Sequence, residues 1–271
     1  MNRTSLALTA LIHSGWGLYI CRLAPVWVDS KAMLAIVIPA RMASTRFPGK
    51  PLVDLGGKPM IEWVVQASRA AEIADWVGVV TPDDSIIDAC EARGIPVIRT
   101  RDDHPSGTDR IAEAASTLNA TVYINVQGDE PLISPETIRS VAAPFAQEPG
   151  VMMTSVYAEC PPEEIDEPAV VKVVLAHNED ALYFSRYPIP YPRNPRLGPV
   201  WKHVGIYGYR AELLREFSGW PPGRLESAES LEQLRFLEHG IKIRMALGVP
   251  TLGVDTPAQA ELVRERLRLG G

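Results

Sequence analysis

Cysteine is nearly absent from this sequence. Cys21, Cys90 and Cys160 are odd in number, widely spaced and never in a C-x-x-C arrangement. That excludes a disulfide framework and leaves no zinc site or redox pair to read; the three fit buried thiols in a reducing compartment. Positive charge is in deficit: 27 Lys and Arg stand against 33 Asp and Glu, a net charge of −6. A general nucleic-acid binder carries a basic face, so nucleic acid is not an expected partner. The apolar run Ser5–Ile12 falls short of the roughly 20 residues a spanning helix needs, so no stable membrane insertion is expected. Internal repeats and low-complexity tracts are missing. What is present is ordinary globular material, 46% hydrophobic and 22% charged over 271 residues. That length suits one large domain or two small ones with a core that needs no staples.

Residues 1–32 read differently from the rest. Their apolar stretches are interrupted by His13, Ser14, Gly15 and Gly17, and no small-residue cleavage site follows them. The expectation is an N-terminal extension, disordered or loosely packed and non-essential, with a weak targeting segment as the alternative. Met33 stands directly before the strand-like LAIVIPA and would make a natural start.

From Met33 on, strand and helix signals alternate. Continuous apolar runs at Leu34–Ile38, Trp76–Val80 and Val122–Val126 read as strands buried on both faces. Between them lie helical patterns from Pro59, over Asp83–Arg93 and from Ser106 to about Leu118, with another over Pro135–Ala146. This order predicts an α/β fold: three layers, with a mixed, mainly parallel sheet between helices. After Val151 strands dominate, at 151–158, 170–176, 182–184 and 204–209, and read as a mixed-sheet insertion over 151–210. Tyr187–Pro199 holds five prolines, which predicts a long irregular loop. Helices return at 211–217, 228–239 and 257–269, with a strand at 241–246.

Three segments carry chemistry. The loop after the first buried strand, IPARMASTRFPGKPL, places Arg41, Arg46 and Lys50 where open α/β sheets bind ligands. Arg forks and a Lys point charge, mixed with Ser, Thr and Gly backbone, suit a polyphosphate. No G-x-x-x-x-G-K-[ST] loop occurs, so this is not a Walker A site. VQGDEP then puts Asp129 at the same sheet edge, and GVDTP places Asp255 in a strand-to-helix turn. Two carboxylates facing a cationic loop point to Mg²⁺, which binds through one or two carboxylates plus substrate phosphates. Asp255 has a plain alternative as a helix N-cap. Ser106-Gly-Thr-Asp-Arg110 opens a helix and presents donors, or Ser106 and Thr108 simply cap it.

Together the blocks IPARMASTRFPGKPL, SGTDR, NVQGDEPLI, VKVV with ALYFSR, KHVGIYGYR, LEQLRFLEHG and GVDTP occur in that order. From about Leu34 to its end the chain thereby resembles the 3-deoxy-D-manno-octulosonate cytidylyltransferases, the CMP-Kdo synthetases. Acylneuraminate cytidylyltransferases share the basic loop and fold but differ in the later blocks. The resemblance implies a nucleotidyltransferase (GT-A-like) fold and a Mg²⁺-dependent cytoplasmic enzyme joining CTP and Kdo into CMP-Kdo and pyrophosphate for lipopolysaccharide. It implies a homodimer built on 151–210. It also implies that Arg41, Arg46 and Lys50 hold the CTP phosphates and that Asp129 and Asp255 hold the metal. Ser106, Thr108 and Arg110 lie on the cytosine and ribose side. Gln127, Arg186, His203, Tyr207, Glu232 and Gln233 line the sugar pocket. Met42 stands where the family commonly has an aromatic, and the proline-rich loop cannot be matched residue by residue.

The residues alone leave Arg186 open to pairing with a surface acid, His203 to a structural role and Glu232 to a solvated helix face, beside the core stripe Leu231, Leu234 and Leu237. Two rival functions stand beside the first. One is the same reaction on 8-amino-Kdo or an acylneuraminate; the other is a catalytically idle nucleotide-binding regulator. Metal-dependent pyrophosphate release separates them.

Overall fold

The computed structural model describes residues 9–14, 17–22, 33–44, 46–194 and 198–269. The chain divides into two compact units, 1–32 and 33–271. In the first, β1 (Thr9–Ser14) and β2 (Gly17–Arg22) pair antiparallel, with Thr9 opposite Arg22 and Ser14 opposite Gly17. This ribbon has no counterpart in the expectation for 1–32, and the rest of that segment lies outside the described residues. A chain beginning at Met33 is expected to fold and turn over as the full chain does. Loss of soluble protein on that truncation refutes the expectation.

The second unit is built on a nine-stranded sheet. β3 (Leu34–Pro39) lies between β4 (Trp76–Thr81) and β6 (Val122–Asn125), and β5 (Val97–Arg99) flanks β4, all parallel. β10 (Trp201–Arg210) pairs antiparallel with β6 on one side and with β7 (Met153–Glu159) on the other. β11 (Ile243–Leu247) closes that edge parallel to β7. The 151–210 segment is thus continuous with the main sheet, and β8 (Lys172–Leu175) and β9 (Ala181–Ser185) form a hairpin joined to it through β10.

Strand periodicity produces the three layers. In β3, Leu34, Ile36 and Ile38 point to one face and Ala35 and Val37 to the other, all nearly inaccessible. The first face packs against α1 (Met60–Ala70), α2 (Asp84–Glu91) and α4 (Pro135–Gln147). The second packs against α3 (Gly107–Leu118), α5 (Ala211–Phe217) and α7 (Gln233–Glu238). Each large aliphatic so buried contributes about 1.5–3 kcal/mol. The helix expected over 228–239 is broken. α6 (Arg224–Glu229) ends at Ser230, whose φ of +53° stops the helical ladder before α7 begins. The buried stripe Leu231 and Leu234 lies wholly beyond Ser230 and α6 buries no residue, so hydrophobic periodicity does not mark the break. α8 (Pro257–Leu269) packs on a small separate cluster with Leu55 and Met60. Among the described residues no helix is long and apolar enough to cross a membrane.

Candidate active site

Because β3 to β6 run parallel, the loops that leave their C-terminal ends gather on one edge, where a cleft of about 420 Å³ opens. The basic loop after β3 is folded on itself. The Met42 amide donates to Asp83 Oδ2 at 2.8 Å, and the Gly49 amide donates to the Met42 carbonyl at 3.0 Å. Gly49 has a φ of +74°, which favours glycine, and it launches the 3₁₀ turn Lys50–Leu52. That turn aims Lys50 at the acids. Across the cleft, the turn after β6 passes so close to β3 that a Cβ on Gly128 would sit 2.8 Å from the Pro39 carbonyl oxygen. Only glycine permits that approach, and it brings Asp129 against Lys50.

Asp255 arrives from the far end of the chain. The Val254 amide donates to the Asp129 carbonyl at 2.8 Å and ties the two acidic segments together. The N-cap of α8 is Thr256, whose Oγ1 accepts from the Gln259 amide at 3.3 Å while Gln259 Oε1 accepts from the Thr256 amide at 3.0 Å. This is a capping box, and it removes the capping alternative for Asp255. The Asp255 carboxylate is free for the cleft. Lys50 Nζ lies 2.5 Å from Asp129 Oδ2 and 2.9 Å from Asp255 Oδ1, and Arg46 lies 3.0 Å from Asp255 Oδ2. Burial pulls the Lys50 ammonium down, but the two carboxylates outweigh it and hold its pKa above the ordinary value.

The two carboxylates converge within reach of one cation, here the ammonium. Among the described residues no three His, Cys, Asp or Glu side chains form a metal cage. Two hard oxygen donors beside a basic loop fit Mg²⁺, and they do not fit an all-protein site.

The remaining expected residues separate into three sets. Arg41, Ser106, Arg110 and Gln127 line the same cleft as Lys50 and the acids. Ser106 is also the cap of α3, accepting from the Asp109 amide at 3.2 Å. Arg110 is buried and donates to Thr100 Oγ1 at 2.5 Å and to the Arg101 carbonyl at 2.7 Å. Burial, then Arg41, lowers its pKa.

A second set lies one strand further along the sheet. His203 and Tyr207 are on β10, and the register shift between Val204 and Tyr207 re-aims that strand beside the cleft. Tyr207 stands opposite Asn125, at the end of β6, and its hydroxyl reaches Gln233 Oε1 at 3.3 Å. Glu232 accepts from the buried Thr108 hydroxyl, and burial raises its pKa. Glu232 is therefore not a solvated surface charge. Thr108 points to this polar layer and is not part of the cleft wall.

The third set is Arg186 alone. Its guanidinium donates to the carbonyls of Glu229, Pro168 and Ser230 at 2.7, 3.0 and 3.2 Å. Among the described residues it pairs with no surface acid, and it does not line the cleft.

His203 has a defined protonation. Ser155 Oγ donates to the Ile206 carbonyl at 2.8 Å, so it accepts from His203 Nε2–H at 2.8 Å. The ring stands edge-on to Phe184 and beside Tyr207, and these surroundings push its pKa down from 6.5 to about 3. The sign follows. Below pH 6.5 the unfolded ring binds a proton that the folded ring refuses, so stability present above 6.5 is lost as pH falls toward 3. The expected slope is up to about 1.4 kcal/mol per pH unit. Denaturant titrations of the native chain and His203→Gln across that range should differ by this slope. Superimposable pH profiles would overturn it.

Sequence reading missed His104, whose ring forms part of the cleft wall, and Glu130, a buried carboxyl with no partner at Oε2 among the described residues, whose pKa burial and Asp129 raise to about 7. His104 lies two residues before the SGTDR block and could have been found there. Glu130 follows Asp129 directly, and no pattern separates a buried acid from an exposed one at that position.

Comparison with known proteins shows the family of the chain. A family model described as cytidylyltransferase matches residues 35–243. A "3-deoxy-manno-octulosonate cytidylyltransferase" of Escherichia coli is 46% identical over 237 residues, covering 87% of this chain and 95% of the relative. One from Anaeromyxobacter sp. (strain Fw109-5) is 47% identical, covering 88% and 98%. A solved structure of "CMP:2-keto-3-deoxy-manno-octonic acid synthetase complexed with CTP" superimposes with a TM-score of 0.86 at 44% identity, over 89% of this chain and 100% of that one.

Proposed function

The chain belongs to the 3-deoxy-manno-octulosonate cytidylyltransferases, and from that premise we propose how its cleft transfers CMP from CTP to Kdo. The enzyme is a nucleotidyltransferase that forms CMP-Kdo and pyrophosphate. One observation carries the assignment of its centre: Lys50 and Arg46 of the basic loop, Asp129 and Asp255, from three distant parts of the sequence, meet as one ion-paired cluster at the sheet edge.

The anomeric hydroxyl of the sugar attacks the α-phosphorus in line. The new O–P bond forms as the bond to the β-phosphate oxygen breaks, the hydroxyl proton passes to solvent, and pyrophosphate leaves with the electron pair. Little covalent work falls to the protein, so catalysis is positioning and charge stabilisation. Arg41, Arg46 and Lys50 bind the phosphate chain, and Lys50 and Arg46 stabilise the charge that develops toward pyrophosphate. Asp129 and Asp255 would hold Mg²⁺, which supplies Lewis-acid polarisation of the phosphoryl oxygen when bound. Tyr207 stands opposite Asn125 on β6 and its hydroxyl meets Gln233, while Gln127 bonds to the same Asn125, which supports assigning Tyr207, His203, Glu232, Gln233 and Gln127 to the acceptor sugar. Arg186 serves that pocket from behind, by fixing the 229–230 turn that leads into Glu232.

The 151–210 segment offers a homodimer face, supported by Leu182, Tyr187 and Tyr191, which are 62%, 74% and 82% exposed. A cytoplasmic location agrees with two free buried thiols, Cys90 and Cys160.

Pyrophosphate release with CTP and Mg²⁺ tests the reading, with Kdo, 8-amino-Kdo and N-acetylneuraminate in parallel. Kdo-dependent release is expected. Release with another sugar alone overturns the pocket assignment, and none from folded protein overturns the enzyme reading.

A further inference from the structure

The sheet edge has an order. The acids follow β6 and β11, the basic loop follows β3, and the segment 100–106 follows β5 at the far end of the same cleft. With phosphates on the basic loop and the reacting centre at Asp129, the end walled by His104, Ser106 and Arg110 receives the nucleoside. Ser106 is occupied with capping and Arg110 with Thr100 and Arg101. His104 is different. Its side chain is 6% exposed, its Nε2 is joined to Glu113 Oε2, and it forms part of the cleft wall.

We propose that His104, oriented by Glu113, reads the 4-amino group of cytosine and sets the nucleotide selectivity of this cleft. The proposal rests on the CTP-dependent reaction above and adds a specificity residue to it. Its logic is the tautomer. A carboxylate only accepts, and Glu113 Oε2 also takes the Arg101 amide at 3.0 Å, which fixes its position. The neutral imidazole therefore carries its proton on Nε2, and Nδ1 is left as a lone pair for a ligand in the cleft. Cytosine presents an amine donor at position 4 where uracil presents a carbonyl acceptor. A lone pair there binds the first and repels the second. Burial draws the Glu113 carboxyl up, but the His104 and Arg101 contacts outweigh it and hold the pKa below the usual range, so the orienting group stays ionised. The outward charges of this segment, Arg101 and Asp103, pair with each other at 3.4 Å.

The test is kcat/KM for CTP and for UTP, each with Kdo, on the full chain at a pH where imidazole is neutral. UTP is read as a competitive inhibitor where it does not turn over. In His104→Ala, kcat/KM for CTP should fall at least about tenfold while the UTP value stays within about twofold, so selectivity falls about tenfold. Glu113→Ala should move the ratio the same way. Glu113→Gln, whose carbonyl still accepts from Nε2–H, should keep most of the selectivity. Equal losses for both nucleotides would mark a structural role and overturn the proposal, as would native selectivity in His104→Ala. A native chain that releases no pyrophosphate with CTP fails the parent reading instead. In that event calorimetric affinities for CTP and UTP still decide this one: a ratio unchanged by His104→Ala overturns it.

Discussion

Asp129→Asn and Lys50→Ala are each expected to lower kcat by at least about 10²–10³-fold, the equivalent of roughly 3–4 kcal/mol of transition-state stabilisation. Both proteins should remain folded. Asn keeps the shape of Asp129 and one acceptor for Lys50 but removes the charge that both the ammonium and a divalent cation need. Lys50→Ala does the reverse: it removes the cation that separates two carboxylates and leaves Arg46 as the remaining ion-pair partner of Asp255. Because these groups act on charge that develops during transfer, kcat and kcat/KM should fall together while KM for CTP moves less. Circular dichroism and melting curves serve as folding controls. Near-native turnover in either folded variant sinks the assignment of the reaction centre.

Asp129 and the basic loop are legible in the sequence for a physical reason. Each follows a continuous apolar run, and a parallel sheet delivers the residues after such runs to one edge. That logic needs no contact information. It fails where the functional signal is a change of direction inside an element. The turn at Ser230 interrupts the helical segment just before its apolar stripe Leu231 and Leu234 begins, and the bulge before Tyr207 sits inside an unremarkable strand pattern. The role of Asp255 could not be decided from Asp-Thr-Pro, since Asp and Thr are both good caps. The structure removes the capping alternative through Gln259, three residues beyond the cap, which completes the box with Thr256. Arg186 shows the opposite limit. Its place in a motif located it near the sugar side, but the motif does not tell a side chain that faces a ligand from one that holds the backbone behind it.

That distinction leads to the second large effect, at Lys172. Read as sequence, VKVV is a strand with one charged residue. In the fold that ammonium is fully buried, and it donates to the carbonyls of Glu167, Val170 and Arg186 at 3.0, 2.6 and 2.6 Å. Burial lowers its pKa. It joins the loop before β8 to the end of β9, and from there Ser185 and the Arg186 amide hold the Glu229 carboxylate at 2.6 and 2.9 Å. Glu229 in turn precedes the Ser230 turn that sets Glu232 and Gln233.

Lys172→Met keeps the length and the apolar stem but strands the Val170 and Arg186 carbonyls, each worth about 1–3 kcal/mol when left unpaired, while the Glu167 carbonyl keeps the Val170 amide. The expected loss is about 3 kcal/mol or more, a fall in Tm of roughly 6–12 °C for a domain of this size. If the network positions the sugar pocket as its connections require, KM for Kdo should rise more than KM for CTP, since the basic loop lies on other strands. A variant that melts with the native chain would refute the stability argument. One that melts early with both KM values raised alike would show that Lys172 supports the fold without directing the pocket.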